Sequence, residues 1–121
     1  MEFIKQMVEK TNPEQMKLML MFGDYENMGT RIFNPIECDK NVSLSVQASY
    51  GHYCNPRKTL PLDEYNRMEL AVFLNGEFVP VDEVIHSQSL IDQFDDFYEG
   101  TVYGHVPVEL IEDLYLELIT T

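Results

Sequence analysis

Residues 42–58 read VSLSVQASYGHYCNPRK, and this stretch organises the rest of the chain. Apolar and polar side chains alternate from Val42 to Tyr50. A period of two is typical of a β-strand that turns one face to the core and the other face outward. We therefore predict a strand with a firm register, because a slip of one residue would bury its serines. A loop with chemically varied side chains is expected to follow, from Gly51 to Asn66.

A second strand is predicted over Arg67–Leu74, where apolar residues again occupy every other position. Asn75-Gly76 comes next and favours a type I′ hairpin turn, because both central residues of that turn need a positive φ. The chain is then expected to return antiparallel over Glu77–Val81. This strand is predicted at the edge of the sheet, since Pro80 has no N–H to donate. A last strand is predicted over Val102–Val106.

Apolar residues at helical spacing predict helices before and after these strands. The first covers Glu2–Glu9, and the second runs from Asn12 to about Phe22, with capping residues at its start. The interior of the second, MKLMLMF, is also compatible with a strand, although Met and Leu modestly favour a helix. A helix is expected over Ser89–Gly100, and the last helix opens at Pro107. A short strand is also expected over residues 31–33. This order of elements predicts an α+β fold, with a mainly antiparallel sheet of about four strands and amphipathic helices packed on it.

Composition sets the class of protein. The chain has 121 residues, 45% of them hydrophobic, which is enough to bury one core, so we expect a single domain over residues 1–121. No apolar run reaches the roughly 18 residues of a membrane-spanning helix. The first ten residues, MEFIKQMVEK, lack the cationic end and apolar centre of a secretion signal. We therefore expect a cytoplasmic protein in which Cys38 and Cys54 are free thiols.

The formal net charge of −13 is unevenly distributed along the chain. All eight Lys and Arg residues lie at or before Arg67, together with nine of the 21 acids. The 54 residues from Met68 onward hold the other 12 acids and no Lys or Arg. A phosphate backbone is repelled by such a surface, so we expect no direct binding of nucleic acid. A basic protein is attracted to it.

Eight of these acids recur at steps of three and four residues on two predicted helices. Each set is therefore expected to share one helix face, opposite the apolar stripe. The sets are Asp92, Asp95, Asp96 and Glu99 on the penultimate helix, and Glu109, Glu112, Asp113 and Glu117 on the last helix.

Two interpretations of these acidic faces stay open. They are either solvated surfaces that keep the protein soluble, or a docking surface for the basic groove of a protein that normally holds nucleic acid. No Lys is interleaved to offset the repulsion of like charges, which costs a few tenths of a kcal/mol per pair. B-DNA carries one charge roughly every 1.7 Å along its axis. Carboxylates repeated along two helices imitate part of that pattern.

The loop after the first predicted strand holds an imidazole, a phenol, a thiol and a guanidinium, at His52, Tyr53, Cys54 and Arg57. Loops on rigid strands commonly carry sites, so a small-ligand site or an enzyme centred here is the alternative hypothesis. A cysteine nucleophile needs a base within hydrogen-bond reach; no local motif supplies one, and spacing leaves open whether His86 or His105 approaches in space. In the structural alternative, Tyr53 and Cys54 are buried anchors and Arg57 pairs with the acidic half. No cofactor is expected, and the scattered His and Cys residues lack the spacing of a metal site.

The chain contains the short motifs Ser45-Val46-Gln47, Ser49, His52-Tyr53-Cys54, Pro56-Arg57, Met68-Glu69-Leu70-Ala71, Tyr103-Gly104 and Val106-Pro107-Val108. Together they resemble a family of small acidic proteins that bacteriophages and other mobile elements encode. The resemblance covers roughly the last two-thirds of the chain and attaches no activity to any residue. Small acidic phage proteins often bind and block host machinery, including restriction and CRISPR effectors, so the resemblance implies a role of this kind.

The leading hypothesis is therefore an acidic inhibitor that docks on a positively charged host protein through the carboxylate-rich helix faces. A third possibility is an assembly component of a virion, which would pair through an exposed sheet edge near Val79–Val81.

Overall fold

A five-stranded antiparallel sheet carries the fold in the computed structural model, which describes residues 1–10, 31–39 and 41–120. The strands are β1 (Ile36–Asp39), β2 (Val42–Gln47), β3 (Arg67–Leu74), β4 (Glu77–Phe78) and β5 (Tyr103–Pro107). Strand β2 pairs along one edge of β3 and carries β1 on its far side. Strands β4 and β5 both pair along the other edge of β3. Phe73 pairs with β2 on one side and β4 on the other, and Leu70 pairs with β2 on one side and β5 on the other.

Three helices belong to the described part of the chain: α1 (Glu2–Lys5), α2 (Gln88–Asp95) and α3 (Val108–Ile119). Short 3₁₀ turns occupy Leu62–Glu64 and Val81–Glu83. Helix α3 packs against β1, β3 and β5 and also contacts α1 and α2. Its buried side chains are Val108, Leu110, Ile111, Leu114, Tyr115 and Leu118. The spacing of these residues gives the apolar stripe that the sequence predicts, and the α+β fold class is confirmed.

The central hairpin matches its prediction. Strand β3 has the predicted bounds, and Met68, Leu70 and Val72 are fully buried on its core face. Asn75 and Gly76 both have positive φ, 54° and 82°, as a type I′ turn requires. Strand β4 is shorter than predicted, because the backbone N–H of Val81 turns inward to donate to the Tyr103 hydroxyl.

The start of the chain differs from its prediction. Helix α1 ends at Lys5, and Glu9 instead forms an isolated antiparallel bridge with Phe33. Strand β1 was not predicted; its four residues are recognisable only by their pairing with β2. The helix predicted over Asn12–Phe22 lies outside the described residues.

One end of β2 is buried on both faces, contrary to the expectation of an outward polar row. Ser43 and Ser45 are half-buried, whereas Gln47 and Ser49 are buried. The Gln47 amide accepts from the Phe33 N–H at 2.8 Å and donates to the Phe33 carbonyl at 2.9 Å. Gln47 thus pairs with Phe33 as a neighbouring strand would, and it fixes the incoming segment on the outer face of the sheet.

None of the helices in residues 1–10, 31–39 and 41–120 has the length and apolar composition that crossing a bilayer would require.

Candidate functional site

A surface groove runs between α2 and α3. It consists of two depressions of about 360 and 380 Å³ that share Gln93 and Asp113 in their walls. Asp96 from the end of α2 faces Glu109 and Asp113 of α3 in the first depression, and Glu117 lines the second. We call this groove, with Asp96, Glu109, Asp113 and Glu117, the acidic groove. The two acidic helices therefore contribute to one concave surface.

The carboxylates of the acidic groove are not neutralised by basic side chains of the described chain. Asp96, Glu109 and Asp113 are exposed, and Glu117 is half-buried. None of the four forms an ion pair with a Lys or Arg within the described ranges. Glu109 lies in the first turn of α3, where the helix dipole favours a negative charge, whereas Glu117 lies near its C-terminus, where the dipole opposes one. The groove thus retains an unbalanced negative charge.

The walls of the acidic groove also contain apolar surface. Phe97, Pro107 and Leu110 line the first depression, and Leu90 and Leu116 line the second. A Lys or Arg side chain has an apolar stem below its charged head. The combination of apolar wall and carboxylate rim therefore suits such a side chain better than it suits a hydrated metal ion.

Arg67, the last Lys or Arg in the sequence, lies beside Phe97, which is part of the wall of the acidic groove. Its guanidinium is 5.8 Å from the ring centroid of Phe97, and its Nη1 donates to the His105 carbonyl at 2.8 Å. Arg67 is therefore held by backbone and ring contacts beside the groove, and the carboxylates there stay available to a partner.

Two of the predicted partner-binding residues lie on α2 but outside the groove walls. Asp92 accepts a hydrogen bond from Gln88 Nε2 at 2.8 Å, one helical turn earlier, and Asp95 is exposed. Both add to the negative potential around α2 without lining the concave surface.

The prediction that Glu99 shares the face of α2 is wrong. Helix α2 ends at Asp95, because Tyr98 forms a bridge with Tyr103 and the two rings pack with centroids 4.9 Å apart. The Glu99 N–H then bonds to the Val102 carbonyl, and its carboxylate lies over Gly104, where an added Cβ would be 3.1 Å from Oε1. Tyr98 is exposed, although its apolar ring and helical spacing favour a buried position on the predicted helix.

The prediction that Glu112 belongs to a free acidic face is also wrong. Its carboxylate accepts the backbone N–H groups of Glu2 and Phe3, at 2.7 and 3.0 Å. These groups belong to the first turn of α1, which has no side-chain cap of its own. Glu112 therefore serves the internal packing of α1 against α3.

The loop after β2 does not assemble a nucleophilic site. Cys54 is buried, its thiol donates to the Ser49 carbonyl at 3.2 Å, and burial raises the pKa of this thiol. The His52 ring lies elsewhere, with Nε2 2.9 Å from the Arg31 carbonyl and Nδ1 3.9 Å from Glu69 Oε1. A thiol with a raised pKa and no imidazole partner is a weak nucleophile. Cys54 is thus the buried anchor of the structural alternative.

The rest of that structural alternative, a buried Tyr53 and an Arg57 paired with the acidic half of the chain, is wrong. Tyr53 is 43% exposed, and Arg57 forms no ion pair with an acidic residue of the described chain. The Arg57 guanidinium instead lies about 6 Å from two tyrosine rings, at 6.0 Å from that of Tyr50 and 5.9 Å from that of Tyr53. Tyr50 and the adjacent His105 were not predicted as site residues, since neither belongs to a sequence pattern that marks a site.

Within the described ranges, no three His, Cys, Asp or Glu side chains are arranged to hold a metal ion. Cys38 and Cys54 are both free thiols.

Comparison of the chain with protein-family models, with curated proteins and with solved structures found no match. The geometry of the site is therefore the basis of the functional argument.

Proposed function

We propose that this protein is an acidic binding protein that docks its acidic groove on a basic surface of another protein, one that normally holds nucleic acid, and inhibits that protein. One observation carries the proposal: Asp96, Glu109, Asp113 and Glu117 converge from two helices on one groove and form no ion pair with a cation of the described chain. The net charge of −13 adds a long-range attraction for a basic partner.

The spacing of the carboxylates on α3 indicates how the groove would be recognised. Glu109, Asp113 and Glu117 follow one another at intervals of four residues, which places them about 6 Å apart along the helix axis. B-DNA has a charge about every 1.7 Å along its axis, so this row is sparser than a duplex. The row therefore suits a few separate Lys or Arg side chains and imitates only a short part of a phosphate backbone.

The energetic cost of this arrangement supports a binding role. Like charges four residues apart destabilise a helix by a few tenths of a kcal/mol per pair, and Glu117 also opposes the helix dipole. A bound basic side chain would relieve both effects, so the binding free energy would include the removal of this repulsion.

The resemblance to small acidic phage proteins adds the expectation that the partner is a host defence effector in the cytoplasm. The basic surface of such an effector would be covered by this protein, and nucleic acid would then be excluded from it. Competition between this protein and nucleic acid for the same basic surface is the property that distinguishes an inhibitor from a protein that only binds.

A matched pair of variants tests the groove. The groove variant carries Asp96→Asn, Glu109→Gln, Asp113→Asn and Glu117→Gln. The control variant carries Asp63→Asn, Glu64→Gln, Glu77→Gln and Glu83→Gln, which removes four exposed charges away from the groove. Binding of a fluorescent arginine-rich peptide is measured by anisotropy at about 50 and about 200 mM salt. We expect about a tenfold loss of affinity in the groove variant and less than about threefold in the control. Equal losses would mean that only the overall charge matters.

The inhibitory part of the proposal has its own test. A basic protein captured by the wild-type chain from the host should be released by duplex DNA and should no longer be captured by the groove variant. Capture that persists in the presence of saturating DNA would contradict the proposal.

A further inference from the structure

A second surface, which presents a cation, adjoins the acidic groove, and the Glu69 carboxylate accepts from the Tyr53 N–H at its edge at 3.0 Å. Tyr50, Tyr53, Arg57 and His105 form it, and we call it the tyrosine–arginine surface. The centroid of the Tyr53 ring lies 5.8 Å from that of the His105 ring and 5.9 Å from the Arg57 guanidinium carbon. Tyr50 and Tyr53 are each 43% exposed, and Arg57 and His105 are exposed as well.

The Arg57 guanidinium is oriented by contacts within its own loop. Its Nε donates to the Tyr50 carbonyl at 3.0 Å, and the two tyrosine rings lie about 6 Å from it. The two Nη groups, which form the outer edge of the guanidinium fork, make no ion pair within the described ranges. A fork that is already oriented loses less conformational freedom on binding than a free side chain.

The backbone of this surface is strained at His105. His105 has φ of 53°, in the left-handed region that residues other than glycine rarely adopt. Its N–H donates to the Tyr53 carbonyl at 2.9 Å, and its carbonyl accepts from Arg67. These two bonds hold His105 at an irregularity in the pairing of β5 with β3, where its ring meets that of Tyr53. Residues held in sparsely populated backbone conformations cluster at active sites, ligand clamps and switch regions.

We propose that the tyrosine–arginine surface binds a carboxylate-bearing segment of a protein partner, with the carboxylate on the Nη groups of Arg57 and neighbouring side chains on the tyrosine rings. A planar guanidinium matches a carboxylate through two parallel hydrogen bonds. Tyrosine and arginine are the residues most enriched at the energetic centres of protein interfaces. A polyanion is a poor candidate, because the chain carries a net charge of −13 and would repel it.

This inference stands on residues other than those of the proposed function, but the two surfaces are neighbours. His105 belongs to the tyrosine–arginine surface and Pro107 to the acidic groove, and two residues of a strand span about 7 Å. Arg67 contacts both, through the His105 carbonyl and the Phe97 ring. A partner that covers both surfaces would therefore present basic side chains to the groove and a carboxylate beside them.

The test uses the full ¹⁵N-labelled chain and two capped pentapeptides, Ala-Leu-Glu-Leu-Ala and its Gln counterpart. NMR titration should shift the Arg57 Nε–H resonance and the ring signals of Tyr50 and Tyr53 with the Glu peptide, with a Kd of about 1 mM. The Gln peptide should bind at least about fivefold more weakly. Arg57→Lys keeps the charge but removes the fork, and should weaken the Glu peptide by about fivefold or more. Equal binding of the two peptides, or shifts confined to other residues, would overturn the inference.

The same titrations separate this inference from the proposed function. Arg57→Lys should leave binding of the arginine-rich peptide to the acidic groove unchanged, and the groove variant should leave binding of the Glu peptide unchanged. Unchanged amide spectra away from residue 57 serve as the folding control. If the groove variant binds the arginine-rich peptide normally while Arg57→Lys loses the Glu peptide, the proposed function fails and the inference survives.

Discussion

The Glu112 carboxylate lies 2.7 Å from the backbone nitrogen of Glu2, so that the last helix holds the first one. Because this contact satisfies two N–H groups that α1 leaves open, Glu112→Ala should lower the free energy of unfolding by about 1 kcal/mol. Urea denaturation of the variant measures the effect. Asp113→Ala, on the adjacent position of the same helix, is the control and should not destabilise. Loss of groove binding without loss of stability in Glu112→Ala would contradict this assignment.

Removal of the Glu117 charge should stabilise the fold, in contrast to the loss of the Glu112 carboxylate. Removing the Glu117 charge relieves repulsion by Asp113, four residues earlier, and an unfavourable interaction with the helix dipole. Glu117→Gln should therefore stabilise the fold by about 0.3–1 kcal/mol at low salt while it weakens binding of a basic peptide. The stability gain should shrink at about 1 M salt, where the Debye length falls to about 3 Å. A gain that is independent of salt would point to a cause other than charge.

Gln47 is predicted to be essential for stability, although its position in β2 indicates an outward polar residue. Gln47→Ala would leave the N–H and carbonyl of Phe33 without their partner in a buried setting, at a cost of about 2 kcal/mol. Ser43→Ala, on the same face but half-buried, is the matched control and should change little. Thermal unfolding followed by circular dichroism compares the two. Equal midpoints would show that the Gln47 contact contributes nothing.

Alkaline pH should destabilise the protein through thiols and phenols that are wholly or partly buried. Burial, with Glu37 and Asp39 adding to it, raises the pKa of Cys38 from 9.0 to about 12. Because the folded pKa exceeds the unfolded one, this group contributes its full stability below about pH 9 and loses it as the pH rises towards 12. Burial also raises the pKa of Cys54 and of Tyr65, Tyr103 and Tyr115, which act in the same direction. Urea midpoints between pH 8 and 11 should fall, and less steeply in Cys38→Ala.

Thiol labelling gives an independent check of the same burial. Cys54 should react at least about tenfold more slowly in the folded protein than in urea, since only the exposed thiolate reacts. Fast labelling of Cys54 at neutral pH would revive the enzyme hypothesis centred on His52, Cys54 and Arg57.

Local patterns sufficed for the elements whose neighbours are close in sequence. Strand β3, the Asn75-Gly76 turn and the apolar stripe of α3 follow from periodicity and from the φ angles that a tight turn requires. The carboxylates at Glu109, Asp113 and Glu117 fall on one side of α3 for the same reason, since residues four apart lie on one face.

Features that depend on contacts outside a regular sequence pattern escaped prediction. Strand β1 is defined by β2, the role of Glu112 by residues 110 and 109 positions away, and the end of α2 by the bridge from Tyr98 to Tyr103. The position of Arg57 between two tyrosines is set by the course of its loop, which spacing along the chain does not reveal. For β1 and Glu112 the deciding contact is tertiary, whereas for Tyr98 and Arg57 it joins residues close in sequence at spacings that mark no standard motif.

Pro107 is at once the last residue of β5 and the N-cap of α3. With no connecting loop between sheet and helix at this point, continuous secondary structure joins His105 of the proposed tyrosine–arginine surface to the α3 wall of the acidic groove. A partner would meet the two surfaces already assembled and would have no hinge to close. Association should therefore proceed in a single kinetic phase, with a rate that responds to ionic strength and shows no slow step of conformational adjustment.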